Sequence, residues 1–192
     1  MKPMDLKIYK LKKSQLTKKG TKNVYFFLVN NIKNSVFSIF GHDYFLELLK
    51  FNYQETFYIK KKGQIVSYIS YINKINESKM KKKLFFFILK NFLFNLPLLI
   101  FHYKIFFKIH SPPNNYIQLI HLIIKIKKTE KKIRLKLHKE IENLNQKVVN
   151  KGYQGVYAIY ENKNAIASKY YKKNNFKIFK KNLFFSFVKK KL

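Results

Sequence analysis

Residues near the end of the chain combine types and spacings that could support acid–base chemistry. Asn164 can cap a helix that follows a short strand, and Ala167 lies one turn later, where its small side chain permits another molecule to approach closely. Tyr171 lies a further turn along the same face, and its phenol, with an unperturbed pKa of about 10, is a group that can take part in proton transfer. The same residues, together with Phe176, could instead belong to the hydrophobic core, so the spacing leaves both interpretations open.

Candidates for a proton acceptor lie earlier in the chain and are less specific. His121 titrates in the right range to act as a catalytic base, although a lone histidine in an apolar strand is more often structural. Gln118 can orient water but cannot accept a proton as a base, and Glu55 is a weaker candidate on a predicted hairpin. The residue types therefore do not identify the base, and His121 is the nearest ionisable candidate.

The composition is strongly basic, with a formal net charge of +32 at pH 7. Such a charge attracts nucleic acid and acidic lipids without specificity. Forty of the 41 basic residues are lysine, and Asn, Ile, Phe and Tyr are abundant, a bias typical of an AT-rich genome. A protein selected for phosphate or guanine recognition usually uses arginine for bidentate contacts. The absence of cysteine excludes disulfides, thiol catalysis and cysteine-based zinc sites, and it is compatible with a cytoplasmic location.

Hydrophobic periodicity predicts one domain of 192 residues in which strands and helices alternate. Strands are predicted at residues 6–11, 55–62, 64–72, 116–127, 155–160, 176–179 and 183–188. Helices are predicted at residues 24–32, 42–49, 130–149 and about 164–173. The turn Lys62-Gly63 marks the clearest hairpin, and residues 116–127 are nearly continuously apolar, as expected for a central strand. This order predicts an α/β or α+β fold with a central mixed sheet flanked by helices.

This order of elements and the spacing from Asn164 to Phe176 together resemble the GNAT superfamily of N-acyltransferases. Such proteins commonly carry Asn, then Ala three residues later and Tyr seven later, as Asn164, Ala167 and Tyr171 do here. Asn175-Phe176 stands where Gly-Phe is expected, and asparagine tolerates a positive φ. The resemblance implies an acyl-CoA-dependent N-acetyltransferase that acts on an unidentified amine, uses acetyl-CoA or another acyl-CoA, needs no metal, and has Tyr171 as its general acid.

The cofactor loop of that family follows the fourth strand as Arg/Gln-x-x-Gly-x-Gly/Ala, and its N–H groups hold a pyrophosphate at a helix N-terminus. With Ile124 at the strand end, Thr129, Lys132 and Arg134 take the three motif positions, so the glycines are absent. The resemblance implies that the following residues bind the cofactor: Ile124, Ile126, Lys131, Lys132, Ile133, Arg134, Leu135, Asn164 and Ala167.

The basic cluster formed by Lys131, Lys132 and Arg134 could replace the missing glycines by charge. A solvated, basic helix start explains the same residues equally well. In that case the chain would retain the fold but would have lost acyl-CoA binding.

Residues 77–113 are predicted to form an insertion, with a basic run at 79–83 and a Phe-, Leu- and Ile-rich part after it. The segment 79–110 could lie on an anionic membrane as an interfacial helix, or it could pack over the substrate groove as a lid. Charged and polar residues interrupt its apolar stretch too often for a spanning helix, and residues 1–20 lack a secretory signal. We therefore expect a cytoplasmic protein, and weak peripheral association with a membrane is one of the two interpretations of this segment. The alternative classes are a basic RNA- or ribosome-associated protein and a membrane-surface structural protein.

Overall fold

Seven strands form one mixed sheet in the computed structural model, which describes residues 6–32, 36–92, 113–125 and 130–192. The strands are β1 Leu6–Lys10, β2 Thr56–Lys61, β3 Gln64–Ile72, β4 Tyr116–Ile124, β5 Gly155–Glu161, β6 Lys177–Lys181 and β7 Phe185–Lys191. The helices are α1 Lys18–Asn31, α2 Val36–Asn52, α3 Lys74–Phe92, α4 Lys131–Val149 and α5 Ala165–Lys173. The order across the sheet is β1-β2-β3-β4-β5-β7-β6, and among these seven described strands only β4 and β5 pair in parallel. This architecture confirms the predicted mixed sheet with flanking helices, and it confirms β4 as a central strand.

The sheet has one hydrophobic core on each of its faces. On one face, which we call the α4 face, the core contains Ile141 and Leu144 of α4 and Tyr171 of α5. On the other, the α2 face, Phe45 of α2 and Met80 of α3 pack against the sheet. Apolar residues of α4 recur at helical spacing, so burying one stripe of that helix satisfies the hydrophobic pattern of the sequence.

The hairpin between β2 and β3 forms as predicted. Lys62 and Gly63 have φ values of 47° and 79°, which places both turn residues in the left-handed region that a tight hairpin turn requires. Their adjacent strands pair in antiparallel register from Lys61↔Gln64 onward.

The largest differences from the predicted boundaries lie in helices α1 and α2 and in the last two strands. Helix α1 begins at Lys18 rather than at residue 24, because the Thr17 side chain accepts a hydrogen bond from the Gly20 N–H at 3.0 Å. Helix α2 begins at Val36 rather than at residue 42, and its backbone is non-helical at Gly41. The last two strands begin and end one to three residues later than predicted, at Lys177–Lys181 and Phe185–Lys191.

Helix α3 occupies the first part of the predicted insertion, and the rest of that segment, residues 93–112, lies outside the described residues. Its surface carries Ile75 and Phe86, which are 68% and 66% exposed, alongside exposed Lys79, Lys82 and Lys83. Within the described part of the chain, no helix combines the length and the apolar character needed to cross a bilayer. Association with an anionic membrane surface stays a prediction.

Candidate functional site

Strands β4 and β5 separate soon after they meet. They pair over four residues only, from Tyr116↔Gly155 to Leu119↔Ala158. Beyond that point β4 continues to Ile124 beside β3, and β5 continues to Glu161 beside β7. The two strands therefore leave a wedge between residues 120–124 and 159–161, which we call the β4–β5 gap.

A β-bulge in β4 lies at the point where the gap begins. The register with β3 passes from Ser70↔His121 to Tyr71↔Leu119, so Ile120 is an extra residue in β4. A bulge bends its strand and increases the local twist, which turns β4 away from β5.

The bulge also determines the face of the sheet on which the predicted base, His121, lies. Leu119 and Leu122 pack against the core of the α4 face, whereas Ile120 packs against the core of the α2 face. Nδ1 of His121 lies 2.9 Å from the hydroxyl of Ser70, a fully buried residue next to the α2-face tyrosine Tyr68. His121 therefore lies on the α2 face, two residues beyond the last pair of β4 and β5.

The main chain at the end of β4 offers hydrogen-bonding groups to the gap. The Lys125 N–H donates to the Val66 carbonyl of β3 at 2.8 Å. Because successive residues of a strand direct their N–H and C=O groups to opposite sides, those of Ile124 point away from β3 and toward the gap. Ile126, which is also predicted to bind the cofactor, lies outside the described residues.

Helix α4 begins beyond the end of β4, after a segment that includes Thr129 and lies outside the described residues. Glu130 precedes the helix without capping it, and its carboxylate is paired with Lys61 of β2. The first N–H groups of a helix have no acceptor within it, and together they carry the positive end of the helix dipole.

Side chains of the first turn of α4 divide between solvent and core. All three members of the basic cluster are exposed, and Leu135 is 68% exposed. Ile133 is only 7% exposed, so its side chain packs inward and only its main chain can contact a ligand. The structure therefore brings a helix N-terminus, which the Glu130 side chain does not cap, and three exposed cations together near the end of β4.

The C-terminal motif forms the local structure that its spacing predicts. Asn164 accepts a hydrogen bond from the Ala167 N–H at 2.9 Å and caps α5. Asn175 has a φ of 62°, which confirms the positive-φ position, and the Phe176 N–H donates to the Tyr171 carbonyl at 3.0 Å. Since the Asn164 oxygen caps the helix, any contact it makes with a cofactor must be compatible with that hydrogen bond.

Tyr171 belongs to the core and is also close to the gap. It is 8% exposed, and its ring stacks on Tyr160 with 5.4 Å between the ring centroids. Tyr160 lies on the part of β5 that has left β4. Burial, with smaller contributions from Tyr170 and Tyr160, raises the pKa of the Tyr171 hydroxyl above its usual value of 10. The two predicted catalytic residues thus lie on opposite faces of the sheet, each on the strand segment that borders the gap.

A buried polar cluster next to the gap has no counterpart in the sequence-based prediction. The Tyr157 hydroxyl donates to Glu77 Oε2 at 2.7 Å, and Lys81 Nζ lies 2.5 Å from Glu77 Oε1. With its amide nitrogen turned toward the carboxylate, Gln118 donates to both Glu77 oxygens at 3.2 Å. We call Glu77, Lys81, Gln118 and Tyr157 the Glu77 cluster.

Two signals in the sequence could have indicated the Glu77 cluster. Glu77 is one of only nine acidic residues in the chain, and a lysine follows it at the i+4 position. Burial, together with the charge and the hydrogen bond of Glu77, raises the pKa of the Tyr157 hydroxyl far above 10, so Tyr157 acts as a hydrogen-bond donor. The described residues contain no group of three His, Cys, Asp or Glu side chains that could hold a metal ion.

Neither the comparison with protein-family models nor that with curated proteins gives a match. Solved structures do match over almost the whole chain. The PaiA N-acetyltransferase of Thermoplasma acidophilum, in complex with coenzyme A, has a TM-score of 0.54 at 15% identity and covers 98% of this chain and 100% of its own. An N-acetyltransferase of Staphylococcus aureus has a TM-score of 0.56 at 15% identity and covers 96% and 100%.

A third match is the polyamine N-acetyltransferase of Drosophila melanogaster, which catalyses the formation of N-acetylagmatine. Its TM-score is 0.59 at 10% identity, and the match covers 98% of this chain and 100% of that enzyme. At these identities the similarity demonstrates the fold alone. The chain has the GNAT fold, which confirms the resemblance found in its sequence at the level of architecture.

Proposed function

We propose that this chain, which has the GNAT fold, is an acyl-CoA-dependent N-acetyltransferase that transfers an acetyl group to an amine. The observation that carries the proposal is the β4–β5 gap, with the N-terminus of α4 following β4. The structural relatives add support, because one is in complex with coenzyme A and another acts on polyamines.

The residues around the gap fit the cofactor. An extended chain with amide groups can pair with the N–H and C=O of Ile124, as an added strand would. Negatively charged phosphates suit the first-turn N–H groups of α4 and the exposed basic cluster, which supplies charge where the family has glycines. Leu135 offers apolar surface near that helix start, and Ala167, beside the cap Asn164, leaves room for close approach.

Bound acyl-CoA would supply an acyl group activated as a thioester. The chain's own contribution is to move two protons. His121 accepts the proton of the attacking amine, and the Ser70 hydroxyl, 2.9 Å from its Nδ1, orients the ring. Tyr171, whose hydroxyl is protonated at neutral pH, donates its proton to the leaving sulfur.

Calorimetric titration with acetyl-CoA tests the cofactor site. The double variant Lys132→Ala/Arg134→Ala removes two exposed charges, each contributing at most about 1 kcal/mol, so we expect the dissociation constant to rise by up to about 30-fold. The matched control Lys177→Ala/Lys181→Ala removes the same charge from exposed positions of β6 and should change affinity less than about threefold.

Folded wild-type protein that binds no acetyl-CoA at millimolar concentration would overturn the proposal and leave a protein that keeps the fold without the activity. Tight, salt-dependent RNA binding in that case would favour the RNA-associated alternative instead.

Steady-state acetylation of an amine panel tests the two proton-transfer residues. Tyr171→Phe keeps the ring in the core and removes only the hydroxyl, and His121→Gln removes the base. Each should lower kcat by roughly 100- to 10,000-fold while acetyl-CoA affinity remains unchanged. Unaltered turnover in either variant would exclude that residue from the reaction.

A further inference from the structure

Glu77 is a carboxylate that solvent barely reaches. Its side chain is 4% exposed, the lowest value for any carboxylate in the ion pairs of the described residues. Removing an ionised carboxylate from water is costly unless charge and hydrogen bonds compensate it. Tyr157 and Gln118 supply uncharged donors, so Lys81 Nζ, at 2.5 Å, supplies the positive charge.

Lys81 reaches this carboxylate from the solvent side. Its side chain is 47% exposed, and it lies four residues after Glu77 on α3. A lysine ammonium sits at the end of a flexible four-carbon stem and carries three N–H donors. An external ammonium can therefore take the place of Lys81 Nζ while the rest of the core stays in position.

The Glu77 cluster also lies beside the proposed reaction site. Gln118 and Tyr157 are register partners, one step before Leu119↔Ala158, where β4 and β5 last pair. Glu77 comes from α3, which packs on the α2 face, the face to which the bulge directs His121. The carboxylate is thus positioned at the base of the β4–β5 gap, on the same side as the proposed base.

We propose that Glu77 binds the ammonium group of a primary alkylamine substrate, and that Lys81 Nζ occupies this position until the substrate displaces it. This inference rests on the proposed acetyltransferase function, because only that function makes the bound amine a substrate. Binding itself requires only the carboxylate and an ammonium with N–H donors. Because Lys81 competes from within the chain, it lowers the apparent affinity for any external amine by the fraction of time it is bound.

Thermal unfolding of the full chain without cofactor tests the binding site. In Lys81→Ala the buried carboxylate loses its charged partner, so the melting temperature should fall, and butylammonium should raise it again. At ten times the dissociation constant we expect a rise of about 3–6 °C. Should Lys81→Ala be unfolded in buffer, the readout is the folded fraction that butylammonium restores.

Three controls separate this site from general salt effects. Tetramethylammonium has the same charge but no N–H donor, and it should not stabilise Lys81→Ala. The control variant Lys82→Ala removes an exposed neighbouring lysine and should show no specific response to butylammonium. In Lys81→Ala/Glu77→Gln the charge of the carboxylate is gone, and the response to butylammonium should be lost.

Kinetics with acetyl-CoA and butylamine provide the second readout. Lys81→Ala should lower KM for butylamine about tenfold while kcat and the affinity for acetyl-CoA stay unchanged. Equal responses to the two ammonium ions, or no response in Lys81→Ala, would overturn the inference and leave Glu77–Lys81 as a structural ion pair. The unfolding arm needs no cofactor, so failure of acetyl-CoA binding would remove the proposed function without deciding this site.

Discussion

Gly155 joins the two halves of the sheet and permits an unusually close contact. Its register partners are Tyr116 on β4 and Lys191 on β7. A Cβ added at Gly155 would lie 2.1 Å from the main-chain oxygen of Lys190 and 2.7 Å from Cε1 of Tyr116. Since non-bonded atoms settle at about 3.5 Å, Gly155→Ala must move β7 away from β5 by about 1.4 Å.

The magnitude follows from the two consequences of that movement. Overpacking typically costs about 1–3 kcal/mol, and weakening one or two ladder hydrogen bonds adds about 0.5–1.5 kcal/mol each. We therefore expect Gly155→Ala to lower the free energy of unfolding by about 2–5 kcal/mol. For a chain of this length the melting temperature should fall by roughly 4–20 °C.

Gly63→Ala is the matched control, because Gly63 has a φ of 79° but no atom within 4 Å of the added Cβ. It carries conformational strain without a clash and should cost about 1–2 kcal/mol. Urea unfolding followed by circular dichroism gives both values. A cost for Gly155→Ala that does not exceed that of Gly63→Ala would refute the reasoning that close strand approach requires glycine at this junction.

Three further perturbations test other parts of the structure. Asn164→Ala removes the cap of α5 and should lower the free energy of unfolding by about 1 kcal/mol; an unchanged melting temperature would count against the cap. Tyr71→Phe removes the hydroxyl that donates to Asn145 Oδ1 at 2.6 Å. Because that buried oxygen is then unpaired, the free energy of unfolding measured in urea should fall by about 1–3 kcal/mol. An unchanged free energy of unfolding would mean that water replaces the donor. Burial lowers the pKa of His42 and His138 below 6.5 in the folded chain, so the unfolded chain binds more protons just below that pH. The free energy of unfolding should therefore be highest above about pH 6.5 and should fall as the pH drops. If the double variant His42→Gln/His138→Gln shows the same dependence of this free energy on pH, the reasoning is wrong.

The sequence determined those features that depend on neighbouring residues. The turn at Lys62-Gly63, the cap at Asn164 and the positive φ at Asn175 each follow from the conformational preferences of one or two residues. Helix α4 was predicted within one residue of its start, because a long amphipathic stripe is a strong local signal. The order of these elements was enough to predict the fold.

The start of α1 was missed for a physical reason. Residues 18–23 are polar and contain Gly20, so they carry no apolar periodicity. The helix nevertheless extends to Lys18, because the Thr17 cap satisfies its first turn. A Cβ at Gly20 would approach the main-chain oxygen of Gln15 to 2.6 Å, so the glycine permits the close contact with the preceding turn.

Only the tertiary structure decided how the candidate site is assembled. The sequence contained Tyr171 and His121, but their location on opposite faces of the sheet follows from the bulge at Ile120, which depends on the register between β3 and β4. Glu77 acquires its neighbours Gln118 and Tyr157 only when α3 packs across the start of the β4–β5 gap. Local preferences fix the conformation of each element, whereas strand register and side-chain burial are set by contacts between residues far apart in the chain, and no single segment encodes them.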